Sequence, residues 1–474
     1  MTSTGSRSAR IRSRLSHPII DADGHIVECT PVLLDYLREV GGPDVAERYR
    51  TSPIVNDVYH QAGVGRSMDE RLARREPMSH WWSQPSDALE RATVTIPRLL
   101  NERLDDLGID FTILYPSEGL FISGIADEEI RRAGCRAYNQ FVSEQFAPYR
   151  DRMAPVAVIP MVTPAEALEA LDHAIGTLGL KGAIFQAAIP RTLAASEGDT
   201  ASSYMDLLAL DSEHDYDVVW RRCVELGVAV TFHQGIRNVG SHSVSNYVYN
   251  HIQLLGGSYL NLAKALFLGG VTRRFPGLTF GFLEGGVGWA ATLYADLIGH
   301  WSKRNGVAIH NLDPARMDVD QMMALVAEYG SDRFQKLSEE IREFFSRTLP
   351  HPEQLDDFAA CGIESETDIR DLFTDNFYFG CEADDPINAL AFSEKIIPFG
   401  TPLKIIFGSD IGHWDVQVID EVLDEAYALV ERGAIDEAQF RQFTFENPAL
   451  LHARMNPDYF QGTRVEDEVA ALLA

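Results

Sequence analysis

Acidic and imidazole side chains follow three short apolar runs of this 474-residue chain. Asp23 and His25 stand two residues apart after the first run. His233 directly follows the second run, and Asp410 stands three residues beyond the third. Imidazole nitrogens and carboxylate oxygens together suit Zn, Mn or Fe, and the lack of placed cysteines argues against a structural zinc site. These residue types therefore indicate a divalent-metal site, if the fold brings the three segments together.

Each of these signals has a structural alternative. An Asp-x-His pair is also typical of a hydrogen-bonded pair, a lone histidine after a strand of a core residue, and an aspartate before a turn of a helix N-cap. Period-two alternation predicts Asp21, Asp23 and His25 on the same side of an extended strand, which favours a pair of ligands there. The choice between these interpretations depends on the elements that carry the residues.

Eight short apolar runs alternate with helical patterns along the chain. That alternation predicts parallel strands joined by crossover helices, and nearly continuous apolar character is expected of strands buried on both faces. The fold class predicted is therefore α/β, a (β/α)8 TIM-type barrel with long helical insertions. The predicted strands are residues 18–22, 111–115, 156–160, 183–186, 228–232, 278–283, 377–379 and 404–407.

Two crossover helices have clear end signals. A capping box with proline at the first helical position runs from Thr163 to Glu166, and it opens an amphipathic segment that stops where the fourth strand begins. Residues 217–226 place apolar side chains on one side and end in Gly227 before the fifth strand. Helix, glycine and strand thus repeat as βα units require.

The predicted barrel strengthens the metal-binding interpretation of the polar residues that follow its strands. Asp23, His25, His233 and Asp410 all fall at the C-terminal ends of predicted strands, which is the end where barrel enzymes keep their catalytic groups. Three separate structural explanations would have to coincide to account for them otherwise. The sequence accordingly predicts that these four residues bind a metal ion.

One catalytic domain is predicted for residues 18–474, preceded by a basic N-terminal arm, residues 1–17. The arm holds four arginines among its first sixteen residues and no apolar segment follows them, which predicts disorder rather than a secretion signal. An organellar transit peptide is the alternative interpretation. Two stretches, about 39–95 and 302–372, exceed what short connections need and are predicted insertions, which either shape the site or form an oligomer contact.

Composition limits the partners. The chain has 70 acidic and 41 basic side chains, a net charge of −29, which predicts no nucleic-acid partner and no membrane-surface partner. No run is long enough to span a bilayer. The five cysteines are scattered, odd in number and without a paired spacing, so a reducing, cytoplasmic location is predicted.

Six longer motifs extend over nearly the whole chain: IDADGH (20–25), PYRDRMAPVAVIPM (148–161), VTFHQG (230–235), RRFPGLTFGFLEGG (273–286), FGSDIGH (407–413) and ENPALLH (446–452). As a set they resemble the amidohydrolase superfamily, specifically the amidohydrolase-related branch. That branch includes aminocarboxymuconate-semialdehyde decarboxylase and the γ-resorcylate and 5-carboxyvanillate decarboxylases. The motifs are specific together, although none is decisive alone.

The resemblance implies roles for single residues. Asp23 and His25 match the strand-one ligands, His233 matches the strand-five ligand, and Asp410 matches the strand-eight aspartate that contacts the metal and shuttles a proton. After strand six the family presents His-Gly-Gly, whereas this chain has Glu284-Gly285-Gly286. A carboxylate cannot donate as an imidazole can, so this departure puts the ordinary hydrolytic site in doubt.

Glu284 is predicted to bind metal or to bridge two ions, because a buried carboxylate at a barrel mouth needs a cation. A structural acid paired with an arginine is the alternative. For a second ion, His251 is the best-placed further ligand, with Glu28 and His300 behind it, although its position favours a helix-face or core histidine. Three aromatic residues beyond strand ends are predicted to line the substrate pocket or to lie in the core: Tyr115, Trp289 and Trp414.

Three classes of function follow. The leading hypothesis is a metal-dependent hydrolase or non-oxidative decarboxylase that acts on a small cyclic or aromatic acid or amide, with Asp410, Glu284 and His251 as candidate catalytic residues. The alternative is a non-heme diiron monooxygenase, because a branch of the superfamily in diterpenoid biosynthesis resembles this chain and two Fe ions bridged by Glu284 would suit it. A non-catalytic binding protein on a degenerate barrel is the third. A small-molecule substrate and a homo-oligomer, dimer or larger, are the partners that the resemblance implies.

Overall fold

The computed structural model describes residues 5–52, 67–76, 85, 87–193, 202–233, 242–348 and 356–474. Part of the predicted insertion at 39–95, residues 53–66, 77–84 and 86, and the eight residues after His233 lie outside these ranges. All five cysteines are free thiols. Within the described ranges, no helix combines the length and the apolar character needed to cross a bilayer.

Eight parallel strands form the central sheet in the order β1-β2-β3-β4-β7-β8-β9-β10. Each one overlaps a strand predicted from the sequence, so the (β/α)8 barrel is confirmed. A separate antiparallel hairpin, β5 and β6, follows the fourth barrel strand and was not predicted. The strands are β1 (Ile20–Ile26), β2 (Phe111–Pro116), β3 (Met153–Ile159), β4 (Gly182–Phe185), β5 (Ile189–Leu193), β6 (Ser202–Asp206), β7 (Val230–Phe232), β8 (Phe280–Phe282), β9 (Phe377–Glu382) and β10 (Lys404–Gly408).

The seam between the first and last barrel strands is held by one buried carboxylate. Oδ1 of Asp21 accepts hydrogen bonds from the Asp23 and Ser409 amides at 3.2 and 3.0 Å. Oδ2 accepts from the Thr112 and Ser409 hydroxyls, both at 2.8 Å. The Asp410 amide also donates to the Asp23 carbonyl at 2.9 Å. These bonds close the barrel where two candidate ligands lie.

A bulge in β1 separates the roles of its acidic residues. The pairing register with β2 shifts between Asp21 and Gly24, which interrupts strict alternation. Asp21 consequently bonds across the seam, whereas Asp23 and His25 point into the barrel mouth cluster described below. The expectation that all three share one side holds only for Asp23 and His25.

Helices surround the sheet. They are α1 (Arg7–Arg12), α2 (Thr30–Arg50, interrupted at Gly42), α3 (Met68–Arg74), α4 (Ala88–Thr95), α5 (Pro97–Leu107), α6 (Gly119–Ile122), α7 (Glu128–Gln145), α8 (Pro164–Leu171), α9 (Asp217–Leu226), α10 (Tyr247–His251), α11 (Leu254–Leu268), α12 (Val271–Arg274), α13 (Gly288–Arg304), α14 (Val319–Tyr329), α15 (Asp332–Lys336), α16 (Ser338–Phe345), α17 (Glu366–Asn376), α18 (Val422–Glu431), α19 (Glu437–Arg441), α20 (Asn447–Ala453) and α21 (Glu466–Leu473). Two π-helical segments, Asp172–Thr177 and Gln442–Glu446, extend α8 and α19.

The predicted helix ends are present. The Thr163 side chain accepts from the Glu166 amide at the start of α8, with proline in the first turn. Gly227 ends α9 in the left-handed conformation, with φ of 66°, which glycine adopts without steric penalty. Local sequence therefore fixes the start of α8, the helix that precedes β4, and the end of α9, the helix that precedes β7.

The N-terminal arm is more ordered than expected. Residues 7–12 form α1, which is capped by the Ser6 hydroxyl and packs against α18 and α5. Ile11 is buried against the barrel's outer helices. This segment differs from the disordered arm that was predicted, because the Ser6 cap, the buried Ile11 side chain and ion pairs of Arg7 with Asp424 and of Arg12 with Asp110 hold it in place.

The stretch around 302–348 forms short helices that extend from the barrel. Helices α14, α15 and α16 contact mainly one another, and Val326 is their buried residue. Several large apolar side chains on them are exposed, among them Tyr329 and Phe344. Two further predictions about domain organisation, a single domain over residues 18–474 and an insertion at about 39–95, remain predictions.

The seam generates a stability prediction. Asp21→Ala leaves the Ser409 amide and two hydroxyl groups without their buried acceptor, so the free energy of unfolding should fall by about 1–3 kcal/mol. Urea denaturation measures it. The control Thr112→Val removes one donor and leaves three on Asp21, so a smaller loss is expected. Equal losses in the two variants would contradict the seam's dependence on Asp21.

A buried histidine generates a pH prediction. His452 stacks on Tyr459 at 4.4 Å between ring centroids, and neither ring nitrogen has a hydrogen-bond partner among the described residues. Burial lowers the pKa of His452 to about 3, whereas an unfolded histidine titrates near its ordinary value of about 6.5. The unfolded state therefore takes up this proton first, and folding stability falls as the pH drops from about 6.5 towards 3.

His452→Phe keeps the stacking surface and removes the titration. Thermal unfolding between pH 7 and 4 should show a shallower loss of stability in this variant than in the parent chain. His310→Phe, at an exposed position, is the matched control and should keep the parental slope. An unchanged slope in His452→Phe would show that protonation of this residue does not limit acid stability.

Candidate metal centre

The C-terminal ends of four barrel strands bring all five predicted ligands into one cluster. Nε2 of His233, after β7, lies 3.0 Å from Nε2 of His25 and 3.3 Å from Oδ1 of Asp23. Nε2 of His25 lies 3.1 Å from Oδ1 of Asp410, after β10. Oε2 of Glu284, after β8, lies 3.3 Å from Nε2 of His233. Asp23, His25, His233 and Asp410 are at most 3% exposed.

Two of these ligands sit on unusual backbone. Glu284 has a φ of 56° and Asp410 a φ of 47°, both in the left-handed region that non-glycine residues rarely adopt. Such strain clusters at functional sites, where the surrounding structure holds it in place. Close packing supplies that hold: a Cβ at Gly380 would lie 2.9 Å from the Glu284 amide, and one at Gly408 would lie 2.9 Å from the Asp23 Cβ.

The hydrogen bond of His25 fixes which ring nitrogen faces the cluster. Nδ1 lies 3.3 Å from the Pro116 carbonyl, which can only accept, so Nδ1 carries the proton. Burial, and then the neighbouring His413 and His233, lower the pKa of His25 well below its ordinary value, which keeps the ring neutral. The lone pair on Nε2 therefore points at a carboxylate oxygen of Asp410. Two acceptors 3.1 Å apart repel one another unless a metal ion or a proton lies between them.

The carboxylates show the same deficit of positive charge. Oδ1 of Asp23 and both oxygens of Asp410 are buried and lack a hydrogen-bond donor of acceptable geometry among the described residues. Burial and then Asp23 raise the pKa of Asp410 to about 8, and burial and then Asp410 raise the pKa of Glu284 well above its usual range. Every ion pair that the described residues give Asp23, Glu284 and Asp410 is to a histidine. The donor set fits one or more divalent cations, which would supply the missing charge.

Three residues of the cluster were missed by the sequence analysis. Nδ1 of His413 lies 2.6 Å from Oδ1 of Asp410, and its Nε2 lies 3.1 Å from the Ser117 hydroxyl. Glu382 and Asp415 each join a group of potential ligands with Glu284 and Asp410, in which the oxygens lie within 4.8 Å of one another. Glu382 ends β9 just as Asp410 follows β10, so the strand-end rule contained its signal. His413 and Asp415 follow a turn, where local sequence gives no direction.

Glu284 faces two histidines with its two oxygens. Oε2 contacts His233, and Oε1 lies 3.8 Å from Nε2 of His251, which is 29% exposed. His251, Glu284 and Asp415 form a further group of potential ligands beside the first. Glu284 thus lies between two groups of nitrogen and oxygen ligands, and the arginine pairing considered for it does not occur among the described residues.

The remaining candidate ligands for a second ion, Glu28 and His300, lie outside the cluster. Glu28 accepts from the amides of Ser117, Glu118 and Gly119 at 2.7–3.2 Å, so its carboxylate is engaged by backbone. His300 is exposed on α13 and bonds to the Asp296 carbonyl at 2.6 Å. Neither belongs to a group of potential ligands within the described residues.

The three predicted pocket aromatics differ in their surroundings. Tyr115 is fully buried, with its ring 5.9 Å from that of His233. Trp289 packs among Tyr259, Phe282 and Phe379, so its surroundings favour the core interpretation over the pocket wall. Trp414 is 37% exposed and lies edge-on to His251 at 5.3 Å. Trp414 alone remains a predicted wall of an open pocket.

This fold and this cluster define a barrel enzyme with its polar site at the strand ends, and the family comparison agrees. A family model described as amidohydrolase matches residues 20–335, more than half of the chain. The chain therefore belongs to the amidohydrolase family and is an enzyme. The hypothesis of a non-catalytic binding protein on a degenerate barrel is set aside.

Solved structures share the fold at low sequence identity. An amidohydrolase from Mycobacterium avium subsp. paratuberculosis is 15% identical, with 92% of this chain and 99% of that chain covered and a TM-score of 0.52. A dihydroxybenzoic acid decarboxylase from Polaromonas sp., solved with manganese and the inhibitor 2-nitroresorcinol, is 16% identical, with 94% and 99% covered and a TM-score of 0.50. A 5-carboxyvanillate decarboxylase from Sphingomonas paucimobilis is 15% identical, with 92% and 99% covered and a TM-score of 0.47.

The cluster generates a prediction about metal content. His25→Ala and Asp410→Asn each remove a ligand atom, so each variant should bind metal at least about tenfold more weakly than the parent chain. Elemental analysis after dialysis against a graded chelator measures this. His300→Ala, at the exposed position on α13, is the matched control and should keep the parental content. Parental metal content in both ligand variants would contradict the assignment.

Proposed function

We propose that this enzyme is a metal-dependent hydrolase or non-oxidative decarboxylase that acts on a small cyclic or aromatic acid or amide. The observation that carries the metal dependence is the 3.1 Å contact between the His25 lone pair and Oδ1 of Asp410, within a buried group of imidazole and carboxylate side chains. The substrate class is supported by the motifs that resemble the decarboxylase-containing branch of the superfamily. When bound, a divalent cation supplies Lewis acidity, which polarises a substrate oxygen and lowers the pKa of coordinated water.

The chain's own residues would divide the work. Asp23, His25, His233 and Asp410 would hold a Zn, Mn or Fe ion, and the Pro116 carbonyl keeps His25 in the ligand tautomer. Asp410 would also accept or return a proton, as the family's strand-eight aspartate does. Its neighbour His413, 2.6 Å away and hydrogen-bonded to Ser117, would orient the carboxylate for that transfer.

A non-heme diiron monooxygenase is the second candidate. The position of Glu284 favours it, because the two oxygens of one carboxylate face His233 and His251 at 3.3 and 3.8 Å. Glu382 and Asp415 add carboxylate ligands on the same side. A mixed set of histidines with several carboxylates suits iron better than a zinc site of the peptidase type. In this candidate Glu284 would bridge two Fe ions.

One preparation distinguishes the two candidates. The chain is purified without chelators, its metals are counted, and it is assayed with hydroxybenzoic acids and their amides for release of carbon dioxide or ammonia. The proposed function predicts turnover that is independent of oxygen, lost on chelation, and reduced about 10²–10⁴-fold in Asp410→Asn. Two irons per chain with substrate-dependent oxygen consumption would instead establish the monooxygenase. Metal-free protein without any of these activities would overturn both.

Glu284→His tests the departure from the family pattern. If Glu284 is a ligand that bridges two groups, the variant should lose metal and activity together. Glu394→His, at an exposed position, is the matched control and should change neither. Increased hydrolysis with parental metal content would show that Glu284 is not a metal ligand and that the ordinary hydrolytic site had been restored.

A further inference from the structure

A cavity of about 560 Å³ lies between α4 and the segment that follows β1. The segment contributes Glu28, Cys29 and Thr30, and α4 contributes Arg91 and Thr95 together with small apolar side chains. Pockets for small molecules in proteins are typically of this order, about 300–1,000 Å³. The lining thus combines apolar surface with a few polar groups, as expected of a ligand pocket.

Arg91 has no acceptor in this cavity. Among the described residues, none forms a hydrogen bond or ion pair with its guanidinium, and burial lowers its pKa with no acidic neighbour to offset the effect. The chain carries 29 more acidic than basic side chains, so an unpaired, half-buried arginine is unexpected. A guanidinium removed from water without an acceptor is unfavourable unless a ligand supplies one.

The nearby acids are already engaged. Glu90 pairs with Arg103 at 3.3 Å, and the Asp87 carboxylate caps the first turn of α4. Glu28 faces the same cavity, but both of its oxygens accept from backbone amides. Arg91 is therefore left for a group that comes from outside the described chain.

The cavity lies beside the metal centre. Glu28 is three residues after His25, so their Cα atoms are within about 10 Å by the reach of the chain. The Val94 carbonyl of α4 accepts from the Val27 amide at 2.9 Å. Val94 also packs against the loop that carries Asp410, because a Cβ at Gly412 would lie 3.2 Å from its side chain. Helix α4 is thus fixed to both segments that hold candidate ligands.

We propose that this cavity binds a second acidic group of the substrate, a carboxylate, and that Arg91 is its guanidinium partner. The planar guanidinium can donate two parallel hydrogen bonds to a carboxylate, which fixes orientation as well as charge. The inference rests on the proposed function in that the other end of the molecule occupies the metal centre. The preferred substrates are then dicarboxylic ring compounds rather than monocarboxylic ones.

The test compares binding, without turnover, of benzoate and the three benzenedicarboxylates to the metal-loaded enzyme by calorimetry. The parent chain should bind at least one dicarboxylate isomer about tenfold or more tightly than benzoate. Arg91→Gln should abolish this preference and leave the benzoate affinity unchanged, and Arg91→Lys should restore part of it. Unchanged benzoate affinity in the variant shows that the fold and the metal centre are intact.

Arg98→Gln is the matched control, because Arg98 lies on the next helix, is 77% exposed and forms its ion pair with Glu102, outside the cavity. It should keep the parental preference. The inference is overturned if Arg91→Gln binds the dicarboxylates as the parent does, or if the parent prefers none of them. An enzyme that binds a dicarboxylate through Arg91 but releases neither carbon dioxide nor ammonia would overturn the proposed function alone.

Discussion

Repulsion among buried carboxylates at the barrel mouth is the constraint around which this site is built. Glu284, Glu382, Asp410 and Asp415 place oxygens within 4.8 Å of one another, and Asp23 joins His25 and His233 in an adjoining group. Every ion pair that the described residues give Asp23, Glu284 and Asp410 is to a histidine. Burial and mutual repulsion raise the pKa of Glu284 and Glu382 well above the usual range. Protons or metal ions must supply the balancing charge. A neutral His25 whose lone pair faces the cluster favours metal ions.

The barrel's closure and its chemistry share the same few atoms. Asp21 ties the first strand to the last, and two residues later Asp23 enters the cluster. The Asp410 amide donates to the Asp23 carbonyl while the Asp410 side chain meets His25. A change that loosened the seam would therefore displace candidate ligands on both strands. The left-handed backbone at Glu284 and Asp410 is tolerated because tight packing against glycines holds it.

Glu284 and Arg91 have opposite electrostatic roles on the two sides of the mouth. Glu284 adds negative charge between two groups of ligands, which favours additional metal, whereas Arg91 leaves an unpaired positive charge in a cavity beside them. A substrate with two acidic groups would meet a metal ion at one end and a guanidinium at the other. Glu284 departs from the His-Gly-Gly that the resemblance implies after strand six, and Arg91 lies in the predicted insertion at 39–95.

The sequence by itself determined the eight strands, the helix ends at Thr163 and Gly227, and the places of five candidate ligands at strand termini, because buried apolar runs and capping residues act through local physics. It did not determine which β1 carboxylate enters the site, since a bulge separates Asp21 from Asp23. It also missed His413, Glu382 and the packed arm at Ile11, and left open whether Trp289 lines the pocket or lies in the core. Those outcomes depend on contacts between residues tens to hundreds of positions apart, and only the tertiary structure decides them.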